Sequence, residues 1–333
     1  MDFEDSPEDA AFRAEVSAWL EDHAEPLGDG YNWSRDQRSP EYVKRCREWQ
    51  QTLAQGGWGA ITWPVEYGGR GDTAWHQAIF NQEAARYDVS TGVFSVGIGM
   101  AGPTLIVHGS EAQKQRFLPA LLRGEEVWCQ LFSEPEAGSD LAGLKTRAVR
   151  DGEEFVVNGQ KVWNSGAQHS DWGILLARTN SDVPKHKGIT YFLVDMTTPG
   201  IEVRPLRQIT GHAHFNEVFL TDVRIPAENV VGEVDRGWAV THTTLANERT
   251  LIGGSGRGLT PERVFDLARR FGRDADPVIR QRLAAFYMRI ELLRYLNLRI
   301  QTSLSQGRQP GPEAATTKLF VSQHLSLTGD LVL

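Results

Sequence analysis

The hydrophobic pattern of this chain changes period twice, and that constrains its fold more than any other feature. From Pro7 to about Leu122 the apolar residues recur three and four apart. Around Val127 they gather into short β-branched and aromatic runs, and from Gly237 the wider spacing returns. A helical period places its apolar residues on both faces of a pleated strand, so neither pattern serves the other element. We therefore expect a helical N-terminal domain over 1–126, a β domain over 127–235 and a helical C-terminal domain over 236–333. The fold class is α+β and multidomain.

Local signals sharpen this division. Ser6 is placed to cap a first helix, whose Phe12, Val16, Trp19 and Leu20 form one stripe. A second helix over Glu41–Ala54 should stop at Gly56-Gly57, the segment Trp63–Gly71 should be a rigid turn, and helix should follow over Thr73–Tyr87 and Glu111–Leu122. Strands are expected at Phe155–Val157, Gly173–Ala177, Thr190–Val194, Ile201–Val203 and Glu217–Leu220, in an antiparallel barrel or sandwich. Asn158-Gly159 reads as a hairpin turn, which would make Lys161–Ser165 the returning strand. A long helix from Pro277 to about Ser303 should bury Ile279, Leu283, Phe286, Ile290, Leu293 and Leu296 and turn its arginines to water. Met100 and Met288 read as core. The last helix reaches Leu333 without a cap, as if cut in mid-helix.

Composition excludes several classes of function. The formal charge of −8, with no dense Lys/Arg cluster, argues against nucleic acid as a partner. The acidic start is unlike a signal peptide, and no run approaches the roughly 18 apolar residues of a membrane span. Two cysteines, Cys46 and Cys129, are too few for a disulfide framework, so a reducing cytoplasmic compartment is expected and the sequon at Asn32 carries no weight. His212-x-His214 lacks a third ligand nearby, so no metal is expected. Gly97-x-Gly99-x-x-Gly102 fits a dinucleotide fingerprint, but Pro103 follows it and no strand–turn–helix unit surrounds it. We read it instead as a small-residue segment that leaves room for a bulky substrate.

Two stretches are built for chemistry. In Trp128–Asp140 a short apolar strand runs into a turn of small residues and hydroxyls. Backbone N–H groups there, with Ser133 and Ser139, are suited to gripping a ligand's polar atoms while the strand backs a flat ring. Taken alone, the same residues also make an ordinary solvent loop. In Asn158–Ala167, Trp163 lies beside Ser165, and a Trp in a strand is usually plain core.

Together, at this spacing, the two stretches resemble the acyl-CoA dehydrogenase family. The turn Trp63–Gly71 resembles that family's Trp-Pro-x-Glu-Tyr-Gly-Gly element, and Gly188–Thr190, Val194–Met196, Pro199–Ile201 and Phe215–Pro226 follow its middle domain. The resemblance implies a helical N-terminal domain, a middle β-barrel and a C-terminal helical bundle, with FAD between barrel and bundle. It implies that Gln130, Leu131, Phe132, Ser133, Gly138 and Ser139 line the flavin, that Trp163, Asn164 and Ser165 complete that side, and that Ser139 also meets the CoA. The implied reaction is removal of an α-proton and a β-hydride from an acyl-CoA, with an electron-transferring flavoprotein taking the electrons. Most members keep the catalytic Glu in a C-terminal loop and a minority on the first helix after the barrel. By resemblance Glu248 takes the minority position, and Arg249 matches a substrate-contacting residue. Gly253 and Gly254 suggest close packing against that helix.

One segment departs from the family. Most homotetramers carry Arg-x-x-Phe-Gly-x-Pro-Ile-x-x-Phe-Gln after the first C-terminal helix, whereas here Ala268 stands three before Phe271 and the Phe-Gln is absent. This variant looks like actinobacterial members, several of which pair with a different subunit to degrade steroid side chains. A homo- or hetero-oligomer, a dimer of dimers, is expected. The alternatives are an acyl-CoA oxidase or flavin monooxygenase on the same fold, and a non-catalytic partner subunit.

Overall fold

The computed structural model describes residues 5–27, 39–254, 260–305 and 311–333. Contacts divide the chain into two compact units. One comprises Glu15–Asp72 and Arg86–Glu248, the other Met1–Ala14, Thr73–Ala85 and Arg249–Leu333.

Helix α1 (Pro7–His23) begins as the sequence predicts, with the Ser6 hydroxyl accepting the Asp9 N–H at 3.1 Å, and it buries Phe12, Val16 and Leu20. Helix α2 (Pro40–Gln55) is capped by Ser39, and the left-handed residue that follows it is Gly57, at φ 77°. The turn after Trp63 is tight because Gly69 packs on the Trp63 backbone, where a side chain has no room. Helices α3 (Ala74–Ala84), α4 (Gly102–His108) and α5 (Glu111–Leu122) follow, α5 opening on a reciprocal Ser110/Gln113 capping box. The glycine-rich segment is a π-helical turn over Gly97–Ala101 that leads into α4. Gly97 makes way for the Leu121 side chain and Gly102 for the Trp63 ring.

The middle of the chain forms one sheet from strands β1 (Trp128–Leu131), β2 (Arg147–Asp151), β3 (Glu154–Val162), β4 (Trp172–Arg178), β5 (Ile189–Asp195), β6 (Ile201–Leu206) and β7 (Phe215–Pro226). Their order is β1-β4-β2-β3-β7-β6, with β5 on β4. Pairing is antiparallel except where β1 and β2 meet β4. The α+β expectation holds. Strands β4 and β5 are buried on both faces, which is why they read as unbroken apolar runs. Ile174, Leu176, Tyr191 and Leu193 pack with α4, α5 and the helix after the sheet; Leu175, Ala177, Phe192 and Val194 pack with β3 and β7.

One local expectation fails. Asn158-Gly159 is not a hairpin turn but a bulge inside β3. The Asn158 side chain exchanges two hydrogen bonds with Asp222 of β7, and a side chain at position 159 would collide with Thr146. The β2–β3 turn is made by Gly152-Glu153, between the paired Asp151 and Glu154, with Gly152 at φ 65°. Strand β3 therefore ends at Val162, and Trp163 is not a strand residue.

Helix α6 (Gly237–Gly254) follows the sheet; the surroundings of Gly253 and Gly254 lie outside the described residues. In the other unit are α7 (Pro261–Arg270), α8 (Pro277–Ser305) and α9 (Pro312–Val332). The predicted stripe of α8 lies inward, and Phe286 stacks on His324 of α9 at 5.2 Å. Met100 is buried as expected, but Met288 is not core: it is 59% exposed, on the same side of α8 as Leu292 and Tyr295. Positions 288, 292 and 295 repeat at helical spacing, so α8 carries a second apolar stripe.

Candidate active site

Strand β1 ends at Leu131 and delivers the chain into the small-residue loop that sequence singled out. A buried ion pair holds this loop. Lys161 Nζ, fully buried on β3, donates to Glu134 Oε1 at 2.8 Å and to the Phe132 carbonyl at 3.0 Å. The Glu134 carboxylate also accepts the N–H groups of Lys145 (2.6 Å) and Thr146 (2.9 Å). Burial pulls the Lys161 ammonium down to about 8, against the opposing field of Glu134. Burial would raise the Glu134 carboxyl, but the charge and hydrogen bond of Lys161, with Thr146 and Lys145, hold it below its usual value. The pair pins the loop from beneath.

Past β3 the chain turns sharply at Trp163, which sits at φ 63°, a left-handed conformation that costs a bulky residue about 1–2 kcal/mol. Its indole is 61% exposed and meets the Phe215 ring edge-on at 5.8 Å. Asn164 behind it is buried and exchanges two backbone hydrogen bonds with Asn216. Its Nδ2 donates to the Gln130 carbonyl at 2.7 Å, and its Oδ1 is buried without a partner among the described residues. Asn164 thus ties the Trp163 turn to β1.

Helix α6 presents Gly237, Thr241, Thr244 and Glu248 at spacings of four, three and four, hence on one face. At Gly237 the helix touches β5, where an added Cβ would stand 2.5 Å from the Tyr191 nitrogen. Thr244 is buried in a hydroxyl cluster with Thr104 (2.9 Å) and Tyr191 (3.2 Å). Alongside, His108 Nε2 lies 2.8 Å from Thr243 Oγ1, and burial lowers the pKa of that imidazole. One turn beyond Thr244, Glu248 Oε2 accepts a hydrogen bond from Gln130 Nε2 at 3.3 Å.

The residues expected from sequence are therefore brought together unequally. Gln130, Asn164 and Glu248 form a chain of contacts, with Trp163 next to Asn164. Leu131 and Phe132 are buried, Ser133 is half-buried with its carbonyl accepting the Val162 N–H, and Gly138, Ser139 and Ser165 are exposed. Arg249 follows Glu248 and is exposed. His212 and His214 stack on each other at 5.2 Å, and no metal-binding cluster occurs among the described residues. Sequence reasoning missed Glu134, Lys161, Thr104, Tyr191, Thr244 and Asn216. The Gly237/Thr241/Thr244/Glu248 spacing was the one available signal.

Comparison with known proteins covers all three regions. Family models for the acyl-CoA dehydrogenase N-terminal, middle and C-terminal domains match residues 6–125, 129–223 and 235–332. Acyl-CoA dehydrogenase FadE34 of Mycobacterium tuberculosis is 46% identical over 81% of this chain and 38% of its own length. Acyl-CoA dehydrogenase IpdE1 of the same organism is 39% identical over 97% of this chain and 84% of its own. The chain thus spans less than half of the first relative and most of the second. A solved structure described as the Tcur3481-Tcur3483 steroid ACAD superposes with a TM-score of 0.83 at 32% identity, covering 99% of this chain and 85% of that one.

Proposed function

This chain belongs to the acyl-CoA dehydrogenase family of oxidoreductases, and from that premise we propose that it catalyses FAD-dependent α,β-dehydrogenation of an acyl-CoA with Glu248 as the base. The observation that carries the reading is the 3.3 Å contact between Glu248 and Gln130, because Gln130 lies on the strand that feeds the small-residue loop. A carboxylate and a ligand-gripping loop are thereby side by side.

The residues present suit a flavin. An indole turned outward at the expense of backbone strain, beside a buried and unpartnered Asn164 Oδ1, fits a flat ring with polar edges. Trp163, Asn164, Ser165 and the Gln130–Ser139 stretch, including Gly138, would hold it, and Ser139 and Arg249 would meet the substrate. When bound, FAD supplies the acceptor for the β-hydride. Glu248 takes the α-proton onto a carboxylate oxygen, while the clamp of α6 on β5 fixes where that oxygen stands. The buried loop beneath contributes position rather than proton transfer.

The division at 1–126, 127–235 and 236–333 is the domain organisation that we propose. For reoxidation we propose an electron-transferring flavoprotein. Met288 and Leu292, 59% and 52% exposed four residues apart on α8, support assembly with a second copy or a related subunit. No helix among the described residues is long and apolar enough to cross a membrane, and we place the enzyme in the cytoplasm.

The test is anaerobic mixing of the FAD-reconstituted protein with a panel of saturated acyl-CoAs while flavin absorbance is followed. Bleaching that disappears in Glu248→Gln with flavin content intact is the expected result. Bleaching that survives in Glu248→Gln removes Glu248 from the reaction. No bleaching with flavin bound would favour a partner-subunit role.

A further inference from the structure

We propose that Gln130 is the positioning residue for Glu248: its side-chain amide holds one carboxylate oxygen so that the other is presented to the substrate. The inference rests on the reading of Glu248 as base and deepens it.

Three observations carry it. First, the 3.3 Å bond from Gln130 Nε2 to Glu248 Oε2 is the one side-chain hydrogen bond that this carboxylate makes among the described residues. A Glu side chain has three rotatable bonds, so a base with no partner samples many orientations. A single neutral donor removes most of that freedom and adds no charge to compete for the proton.

Second, Gln130 is itself held on both sides. Strand β1 pairs in parallel with β4, placing Gln130 opposite Ile174. The Gln130 carbonyl accepts from Asn164 Nδ2 at 2.7 Å, and Asn164 is locked to Asn216 by two backbone bonds. A donor mounted on a pinned strand can fix its partner; one on a loose loop cannot.

Third, α6 brings Glu248 to Gln130 on the same face that is clamped through Gly237 and Thr244. The two side chains thus meet between separately anchored backbones. The geometry leaves Oε1 as the oxygen free to accept a proton.

Gln130→Met keeps the approximate length and volume of the side chain and removes its amide, the donor to Glu248 included, whereas Gln130→Glu places a like charge against Glu248. The first readout needs neither flavin nor substrate. Infrared difference spectra between the wild-type protein and Glu248→Gln isolate the Glu248 carboxylate bands. Those bands should move in Gln130→Met, because the two oxygens lose their inequality, and the difference should vanish when Glu248→Gln is combined with it. Bands that stay in place overturn the contact.

The second readout uses the FAD-reconstituted protein and the acyl-CoA panel. In Gln130→Met the limiting rate of bleaching should fall about tenfold, the scale of one lost hydrogen bond, with the half-saturating acyl-CoA concentration unchanged. Gln130→Glu should lose more. Moved bands with an unchanged limiting rate overturn the positioning role. Bleaching that persists in Glu248→Gln instead overturns the base assignment, and the infrared result still decides the contact.

Discussion

Lys161 and Glu134 form an ion pair 2.8 Å long with the lysine side chain fully buried and the carboxylate 7% exposed. Removing one partner strands a charge in a dry site, so Glu134→Gln or Lys161→Met should each cost about 3–5 kcal/mol. Chemical denaturation would measure this. The double replacement Lys161→Met/Glu134→Leu should recover much of the loss, since an apolar pair carries no desolvation penalty. Equal losses in single and double variants would contradict the pairing.

The same pair predicts the sign of two pH effects. The folded carboxyl of Glu134 lies below its unfolded value of 4.5, so its stabilisation is present above that pH and is lost as pH falls through the folded value. Lys161 is lowered from 10.5 to about 8, so between those values the unfolded chain binds the extra proton and this group's contribution to stability rises with pH. Denaturant midpoints across acid and alkaline pH, compared with Lys161→Met and Glu134→Gln, should lose each slope separately.

Gly237 marks where α6 meets β5. A Cβ there would stand 2.5 Å from the Tyr191 backbone nitrogen, an atom that cannot swing aside. Gly237→Ala should therefore destabilise by about 1–3 kcal/mol and shift the helix that carries Glu248. Bleaching by acyl-CoA should slow in the folded variant even though the mutation is three turns from the carboxylate. A normal rate in a destabilised protein would mean that α6 is held elsewhere.

Thr244→Val keeps the shape of the side chain and removes its hydroxyl from the cluster with Thr104 and Tyr191. Tyr191 is buried to 1% exposure, and its hydroxyl lies 3.2 Å from that of Thr244. The expected cost is about 1–3 kcal/mol, read as a lower melting temperature.

Trp163 should give opposite results for stability and cofactor. Trp163→Gly relieves about 1–2 kcal/mol of left-handed strain and loses about 0.5–1.5 kcal/mol of contact with Phe215. Stability of the flavin-free protein should stay within about 1 kcal/mol, while FAD retention falls sharply. A large loss of stability would return Trp163 to the core role that sequence alone favoured.

The failure at Asn158-Gly159 shows where the limit of sequence reading lay. Two dipeptides near each other, Asp151-Gly152 and Asn158-Gly159, carry the same hairpin signal, and a local rule cannot rank them. Register decides: Asp222 on β7 claims Asn158, which leaves the turn to Gly152. Met288 failed for a related reason, since an apolar residue at helical spacing does not declare which of two faces its neighbours will cover.

What the sequence determined by itself was everything set by short-range pattern. The caps at Ser6, Ser39 and Ser110, the stops after α2, the continuous runs of β4 and β5 and the stripe of α8 follow from residues within a few positions of one another. The candidate loop and Glu248 could be proposed from sequence because their motifs are contiguous. The tertiary structure alone decided the partners: Lys161 with Glu134, Thr104 with Thr244, and Gln130 with Glu248, separated by 27, 140 and 118 residues. A buried polar group must be satisfied, but any of many donors can satisfy it, and only the packing of strand against helix selects which.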